Sequence, residues 1–289
     1  MGLFARAIIS RPHLARCVRS FEGSTTRPGV SFPDTTREGI NLRTISSNFP
    51  TVRQLIALRA SLSNDLYGKN HCDAWFGSLT NWFDNWDAFL AFILHVCSRN
   101  LKRIVLRSPG LMSRYLRTVL DLGNTAQHSS AEQLMLSNLK QVDLKTSHKN
   151  RQISIDFVLP FLKLKSVKAI SITGFCSYVA PTSNFSGLHC SAIKRLIITN
   201  SLVSPPSIEK FLGCFNSLQY FEYEHTYWGV VGGTQFRPNI IAKGLKQSQH
   251  CLECLHISQK GTLDQLSTSS QNGEIPERVE SLKAFETLR

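Results

Sequence analysis

The 289-residue sequence predicts an α/β solenoid, in which parallel strands line a concave face and irregular helices lie outside. Two observations lead to this fold class. A short apolar line (apolar, two residues, apolar, one residue, apolar) recurs seven times between Leu101 and Thr287. Helical apolar spacing follows most copies, so that strand and helix alternate along the chain. A single unit would expose its apolar face, whereas stacking against neighbouring units buries that face.

The strands are predicted by the seven copies of this line, which start 38, 28, 26, 25, 34 and 30 residues apart. Their apolar positions are Leu101/Ile104/Leu106, Leu139/Val142/Leu144, Val167/Ile170/Ile172, Ile193/Leu196/Ile198, Leu218/Phe221/Tyr223, Leu252/Leu255/Ile257 and Leu282/Phe285/Thr287. Two weaker copies lie upstream, at Val18/Phe21/Gly23 and Val52/Leu55/Ala57. A line of this kind with a period of roughly 20–50 residues is typical of a leucine-rich repeat. We therefore expect one degenerate leucine-rich-repeat domain over residues 1–289, a horseshoe-shaped solenoid.

The helices are predicted where apolar residues recur at helical spacing between the strands. The predicted helices cover 84–97, 111–122, 154–164, 207–215 and 236–247. Pro160 is expected to bend or end the third of these helices, because proline lacks the backbone N–H that an inner turn requires. The aromatic stripe that begins at Trp86 is expected to form core. Two loops are predicted, over 24–47, which is rich in Ser, Thr, Gly and Pro, and over 261–276.

The charge of the chain is unevenly distributed. Its formal net charge is +13, and residues 1–200 hold 25 Lys and Arg against 11 Asp and Glu, whereas 201–289 hold 8 against 9. A basic body can attract nucleic acid, an anionic membrane or an acidic partner. The basic residues are spread singly, without a nucleic-acid-binding motif, so an RNA or anion binder stays a lesser alternative. No apolar run reaches the ~18–20 residues that span a bilayer, and we expect no membrane partner.

The cysteines and the first residues bear on cofactor and location. Eight cysteines without a clear signal peptide predict reduced thiols in the cytoplasm or nucleus. Cys251 and Cys254, flanked by His250 and His256, suggest zinc, but no second C-x-x-C completes four ligands. We expect strand residues there, and no metal or other cofactor. Four arginines and no acid precede Glu22, a pattern shared with mitochondrial presequences, so import is an alternative.

Catalytic motifs are missing from the sequence. The segment GVVGG at 229–233 is not followed by the Gly-Lys-Ser/Thr of a phosphate loop, and no G-x-S-x-G elbow is found. Three His-Cys pairs are adjacent in sequence, but adjacent strand residues point to opposite faces, so a base would not reach its nucleophile. We predict no catalytic residue and a protein that is not an enzyme.

The predicted binding surface follows from the alternation of strand residues. The first, fourth and sixth positions of the line face the core, and the third, fifth and seventh face outward on the concave side. These outward positions are basic at one end of the array, small in the middle and acidic with aromatics at the other end. Aromatic residues beside charges are common at interface hot spots. The predicted partner-binding residues are Arg103, Arg107, Lys145, Arg195, Tyr220, Glu222, Glu224, Tyr227 and Trp228.

Several segments resemble the leucine-rich-repeat portion of F-box proteins from filamentous fungi. They are RPHLARCVRSFEG at 11–23, the strands LKRIVL, LKQVDL, VKAISIT and IKRLIIT, and the aromatic strand SLQYFEYEH at 217–225. The resemblance covers most of the chain. It implies the substrate receptor of a cullin-RING ubiquitin ligase, in which an N-terminal F-box binds the Skp adaptor while the repeats hold the protein to be ubiquitinated.

The chain departs from that plan in three ways. No F-box-like segment of three helices precedes residue 11. The Asn or Cys expected after each strand is replaced by Pro109, Ser147, Phe175, Ser201, Thr226 and Lys260. The last copy of the line runs into Arg289, which is consistent with a truncated chain. We therefore expect a protein-interaction module with irregular curvature, which binds Skp only if an F-box lies outside this chain. The alternatives are a stand-alone repeat scaffold and a mitochondrially targeted repeat protein.

Overall fold

The computed structural model describes residues 7–8, 10–24, 68–80, 86–107, 114–125, 135–146, 152–177, 188–226 and 237–260. The chain divides into two compact units, Met1–Leu139 and Lys140–Arg289, which we call unit 1 and unit 2. No helix in the described ranges is long and apolar enough to cross a membrane.

The described residues of unit 1 form two parallel strands and three α-helices. Its elements are a 3-10 helix Pro12–Cys17, strand β1 Ser20–Ser24, helices α1 Lys69–Thr80 and α2 Trp86–Cys97, strand β2 Arg103–Arg107 and helix α3 Arg114–Thr125. β1 and β2 pair in parallel, with Phe21 opposite Ile104 and Gly23 opposite Leu106. The weak upstream copy of the apolar line at Val18 is therefore a true strand of the fold.

The core of unit 1 is built around Trp75 of α1. The side chain of Trp75 is fully buried, and its Nε1 donates a hydrogen bond to the carbonyl oxygen of Ala88 in α2 at 3.0 Å. Its ring stacks on Tyr115 of α3, with ring centroids 5.6 Å apart. The predicted aromatic stripe of α2 is confirmed as core where its side chains are described, because Phe89, Leu90, Ile93, Leu94 and Cys97 are all buried.

Unit 2 repeats a strand and a helix along one parallel ladder. Its elements are β3 Gln141–Lys145, α4 Ile155–Leu162, β4 Ala169–Thr173, β5 Cys176–Ser177, β6 Arg195–Val203, α5 Pro205–Leu212, β7 Tyr220–Thr226, α6 Pro238–Leu245, a 3-10 helix Lys246–Ser248 and β8 Cys254–Lys260. The strands pair in the order β3, β4, β6, β7, β8, and β5 pairs with the end of β6. Each strand therefore lies beside the strand of the preceding repeat.

The register of unit 2 keeps equivalent repeat positions in rows. The fourth position of each line forms one row, which runs through Val142, Ile170, Leu196, Phe221 and Leu255. The first four members of this row are at most 1% exposed. Parallel strands joined by helices form such rows when every repeat buries the same face. Six of the seven predicted strands are confirmed, while the copy at Leu282 lies outside the described residues, as does that at Val52.

Helix boundaries differ from the predicted ones at prolines. α5 begins at Pro205, two residues before the predicted start, because Pro205 and Pro206 occupy the first helical turn, where no backbone N–H is needed. α4 continues through Pro160 and ends at Leu162. α1 was not predicted, although Cys72, Trp75 and Leu79 have helical spacing in its sequence KNHCDAWFGSLT and are buried. Ser24, the first residue of the predicted 24–47 loop, ends β1, and the rest of both predicted loops lies outside the described residues.

Candidate functional site

The candidate site is the outward side of the unit 2 strands, which we call the strand face. Its members are the third, fifth and seventh positions of the repeat line. In register, one row contains Gln141, Ala169, Arg195, Tyr220 and Cys254, and the next contains Asp143, Ser171, Ile197, Glu222 and His256. On β4 and β7 these partly exposed positions alternate with buried ones, as the strand period of two requires. The predicted division into core and outward positions is confirmed on these two strands.

Three residues of the strand face form a connected cluster. The guanidinium carbon of Arg195 lies 3.8 Å from the centre of the Tyr220 ring, which is a cation–π contact between β6 and β7. The Tyr220 hydroxyl donates a hydrogen bond to Oε2 of Glu222 at 2.8 Å. That hydrogen bond is the main cause of a raised pKa for Tyr220, and burial adds to it. We call Arg195, Tyr220 and Glu222 the face cluster.

A bulge in β6 holds the next acidic residue. Asn200 has a positive φ of 51°, and the register between β6 and β7 shifts between Ile198 and Ser201. The backbone N–H of Asn200 donates to Oε1 of Glu224 at 3.2 Å, and the Ser201 hydroxyl donates to the Glu224 carbonyl at 2.9 Å. Because asparagine tolerates the left-handed conformation, the bulge positions the Glu224 carboxylate instead of leaving it to move freely.

The basic end of the predicted surface is less open than the sequence indicates. Asp143, predicted to face outward, is 3% exposed, and the Gln141 side-chain amide bonds both of its carboxylate oxygens, at 3.1 and 3.2 Å. Lys145 is half-buried beside Thr173 in the register. A glutamine two positions away on the same strand could have signalled this contact, because both side chains share one face.

The two arginines of the predicted surface that belong to unit 1 lie on β2. Arg103 and Arg107 are exposed, and the Nε of Arg107 donates to Oε1 of Glu22 on the paired strand. Val105, also predicted to face outward, is only 4% exposed. Glu22 lies opposite Val105 in the register, so the ion pair passes beside that side chain. The sequence did not predict this pair, because its partners are 85 residues apart.

Two predicted contact residues cannot be placed. Tyr227 and Trp228 lie outside the described residues. Of the nine predicted partner-binding residues, the structure brings Arg195 and Glu222 into contact with Tyr220, and it positions Glu224 on the adjacent row.

The repeats of unit 2 are joined by a backbone contact that the sequence does not reveal. At the second position of the repeat line, one carbonyl oxygen accepts two N–H groups from the next repeat. Thus Lys140 accepts from Lys168 and Ala169 at 2.8 and 3.0 Å, and Lys168 accepts from Lys194 and Arg195 at 2.8 and 3.1 Å. The same pair of bonds recurs at Lys194 and at Gln219. These bonds fix the spacing of successive repeats at their strand starts without the standard asparagine.

A small pocket and a cysteine of unit 2 bear on cofactor and metal binding. The pocket opens at the end of β6 and β7 and is lined by Val203, Pro205, Ile208, Tyr223, His225, Arg237 and Ile241. It has room for no more than about one water molecule, far less than a cofactor needs. The Cys251 thiol donates to the carbonyl oxygens of Leu218 and Ser248, and burial raises its pKa. The described part of the chain contains no group of three or more His, Cys, Asp or Glu residues suited to a metal ion.

The comparisons with known proteins agree with the repeat architecture. A family model described as a leucine-rich repeat domain matches residues 3–289. No curated protein matches the chain.

Proposed function

The chain belongs to the leucine-rich repeat domain family, and we propose that it is a non-enzymatic module that binds a protein partner on the strand face. Domains of this family are typically protein-interaction modules. The stacking of strands in unit 2 supports this proposal, because it presents one continuous row of outward side chains from five successive strands.

The observation that carries the proposal is the face cluster. Arginine and tyrosine are among the residues most enriched at interface hot spots. In this cluster each side chain is held by another, through the cation–π contact and the hydrogen bond to Glu222. Side chains that are already ordered in the free protein lose less entropy on binding. The cluster thus combines the residue types and the preorganisation that a binding hot spot requires.

Three buried thiols are unsuited to nucleophilic chemistry. Burial raises the pKa of Cys97 and of Cys190 to about 12 and that of Cys214 to about 11. Only the thiolate is a nucleophile, and at neutral pH these three side chains are thiols. We infer that they are structural members of the core.

The proposal is tested by cross-linking from the strand face in cells. A photo-reactive amino acid is placed at Glu222, and a matched control carries it at the exposed Lys210 on α5. We expect a discrete cross-linked protein from position 222 that is missing from position 210. Arg195→Glu should then reduce recovery of that protein about tenfold, whereas Lys210→Glu should not. Reversing a charge weakens binding strongly only where the residue contacts the partner. Equal cross-linking from both positions would contradict the proposal.

We further propose that the partner is a protein bound for ubiquitination, with the chain acting as the substrate-recognition part of an F-box ubiquitin-ligase receptor. The support is the resemblance of the segments at 11–23 and 217–225 to fungal F-box proteins. The second segment contains β7 and the face cluster residues Tyr220 and Glu222. The protein would then act in the cytoplasm or nucleus.

This finer proposal has its own test. The protein and any longer form expressed from its gene are purified from the native cells, and Skp adaptor and cullin are measured by quantitative mass spectrometry. Recovery of both supports a ligase receptor. Recovery of the cross-linked partner without them supports a stand-alone scaffold, and a mitochondrial partner set would support import instead.

A further inference from the structure

The backbone contact between repeats in unit 2 also lines up five side chains. Successive second positions are Lys140, Lys168, Lys194, Gln219 and Glu253, each bonded through its backbone to the next. Neighbouring strands of a sheet are about 4.8 Å apart, so this row spans about 19 Å. It lies immediately before the strands and is separate from the strand face. We call these five residues the charged edge.

The charged edge is accessible and its lysines are not neutralised internally. Lys140, Lys168, Gln219 and Glu253 are exposed, and Lys194 is half-buried. No ion pair joins the three lysines to another residue in the described part of the chain. The three lysines follow one another on neighbouring strands whose backbones are about 4.8 Å apart, so they concentrate positive charge along the edge. An anionic partner would be attracted to that charge.

We propose that the charged edge binds an α-helix of a partner protein, with acidic residues over the three lysines and a basic residue over Glu253. Along a helix, residues at i, i+3 and i+7 lie on one face and span about 10.5 Å at 1.5 Å per residue. Three successive residues of the charged edge span about 9.6 Å. An extended strand places same-face residues about 6.8 Å apart. Its third residue would therefore lie about 4 Å beyond the third residue of the edge.

The change of sign along the edge selects a protein over a uniformly anionic partner. Glu253 lies two positions beyond Lys194 along the charged edge, with the neutral Gln219 between them. A nucleic-acid backbone or an anionic membrane surface would place negative charge against Glu253, and like charges facing each other are unfavourable. A helix can carry acidic residues at one end of a face and a basic residue at the other. Such a helix of about 15 residues would be long enough to contact all five residues of the charged edge.

This proposal deepens the protein-interaction function and rests on it, but it concerns a second surface. Variants on the two surfaces separate the two proposals. Lys168→Glu changes the edge and leaves the face cluster intact, and Glu222→Lys does the reverse. Failure of the edge proposal would therefore leave the cross-linking result at the strand face unaffected.

The test measures fluorescence anisotropy of a labelled helical peptide with the full chain. The probe is alanine-rich, with Glu at i, i+3 and i+7 and Lys at i+14 of one face. A control peptide has the same composition with its charges distributed around the helix. We expect the probe to bind and Lys168→Glu to weaken it about tenfold, whereas Lys243→Glu, an exposed control on α6, leaves it unchanged. Thermal melting verifies that each variant is folded, and Lys168→Gln replaces Lys168→Glu if that variant is not.

A charge exchange tests the polarity of the edge. Glu253→Lys should weaken the probe about threefold, and changing the probe's own Lys to Glu should restore the loss. Equal binding of the control peptide, or equal loss from Lys243→Glu, would overturn the proposal. Tighter binding of a single-stranded RNA of about 20 nucleotides, or of phosphatidylserine vesicles, with the same dependence on Lys168 would overturn it as well and assign the edge to that ligand.

Discussion

At the scale of single residues, His71 in unit 1 couples folding to pH. Its ring is half-buried and lies edge-on to Trp75 and to Tyr115, with centroids 6.0 and 5.6 Å away. Burial, followed by the positive charge of Arg114, lowers the pKa of His71 from its usual 6.5. The folded state therefore favours the neutral imidazole more strongly than the unfolded state does.

The sign of the pH effect follows from that shift. Well above pH 6.5 the ring is neutral in both states, so it does not affect folding stability. As the pH falls below 6.5, the unfolded chain takes up the proton first, so stability is lost until the pH passes the lowered pKa of the folded state. We predict that the free energy of unfolding falls more between pH 7.5 and 5 for the wild type than for His71→Gln.

Urea denaturation at several pH values measures this difference. All other side chains are the same in both proteins, so subtracting the two curves isolates the contribution of His71. Parallel curves for the wild type and His71→Gln would show that the ring does not couple folding to pH.

The sequence predicted which way most strand residues face, but not which side chains they contact. Alternation correctly separated Phe221 and Tyr223, which are buried, from Tyr220 and Glu222, which face outward. It could not predict that Arg195 would lie over Tyr220, because that contact requires the register between two strands 25 residues apart. It also placed Asp143 outside, because alternation carries no information about what covers a side chain.

At the scale of elements, a small residue sets the contact between α5 and α6. A Cβ atom added at Gly244 would lie 2.7 Å from the Cβ of Leu212 and 3.0 Å from the carbonyl oxygen of Glu209. The second of these atoms is backbone and cannot rotate away. The two helices can therefore pack at this distance only without a side chain at Gly244.

We predict that Gly244→Ala lowers the free energy of unfolding by about 1–3 kcal/mol, the usual cost of overpacking. Gly213→Ala is the matched control, because its new Cβ would meet only ordinary contacts at 3.4 and 3.5 Å, with a helical φ of −60°. We expect that control to change stability by less than about 1 kcal/mol. Urea denaturation of both variants measures the difference, and equal losses would mean that the helix contact is not limiting.

Element boundaries show why strands were easier to predict than helices. Seven described strands coincide with copies of the apolar line, because each copy has a buried face that a shift of one residue would turn outward. Some helices were shifted, as at α5, or missed, as at α1, since short helices gain most of their stability from tertiary packing and not from their own pattern. The packing of Trp75 between α2 and α3 is an example.

At the scale of the whole molecule, residues as early as Ile8 belong to the packed core of unit 1. Ile8 is 3% exposed and Ala15 is 5% exposed, and the 3-10 helix that contains Ala15 lies against α2. The carbonyl oxygen of Arg19 then accepts the N–H groups of Lys102 and Arg103, at 2.7 and 3.2 Å. These contacts make Ile8, Ala15 and Arg19 part of the packing of unit 1.

We predict that Ile8→Asp lowers the free energy of unfolding by at least about 3 kcal/mol, because it removes a buried aliphatic side chain and inserts a carboxyl group in its place. Ala7→Asp is the matched control, since Ala7 is exposed, and it should change stability by less than about 0.5 kcal/mol. Urea denaturation of the full chain measures both. A C-terminal fluorescent tag then locates wild type and Ala7→Asp in cells, where we expect cytoplasm or nucleus for both. An unchanged free energy of unfolding for Ile8→Asp, together with mitochondrial fluorescence, would contradict this prediction and support the import alternative.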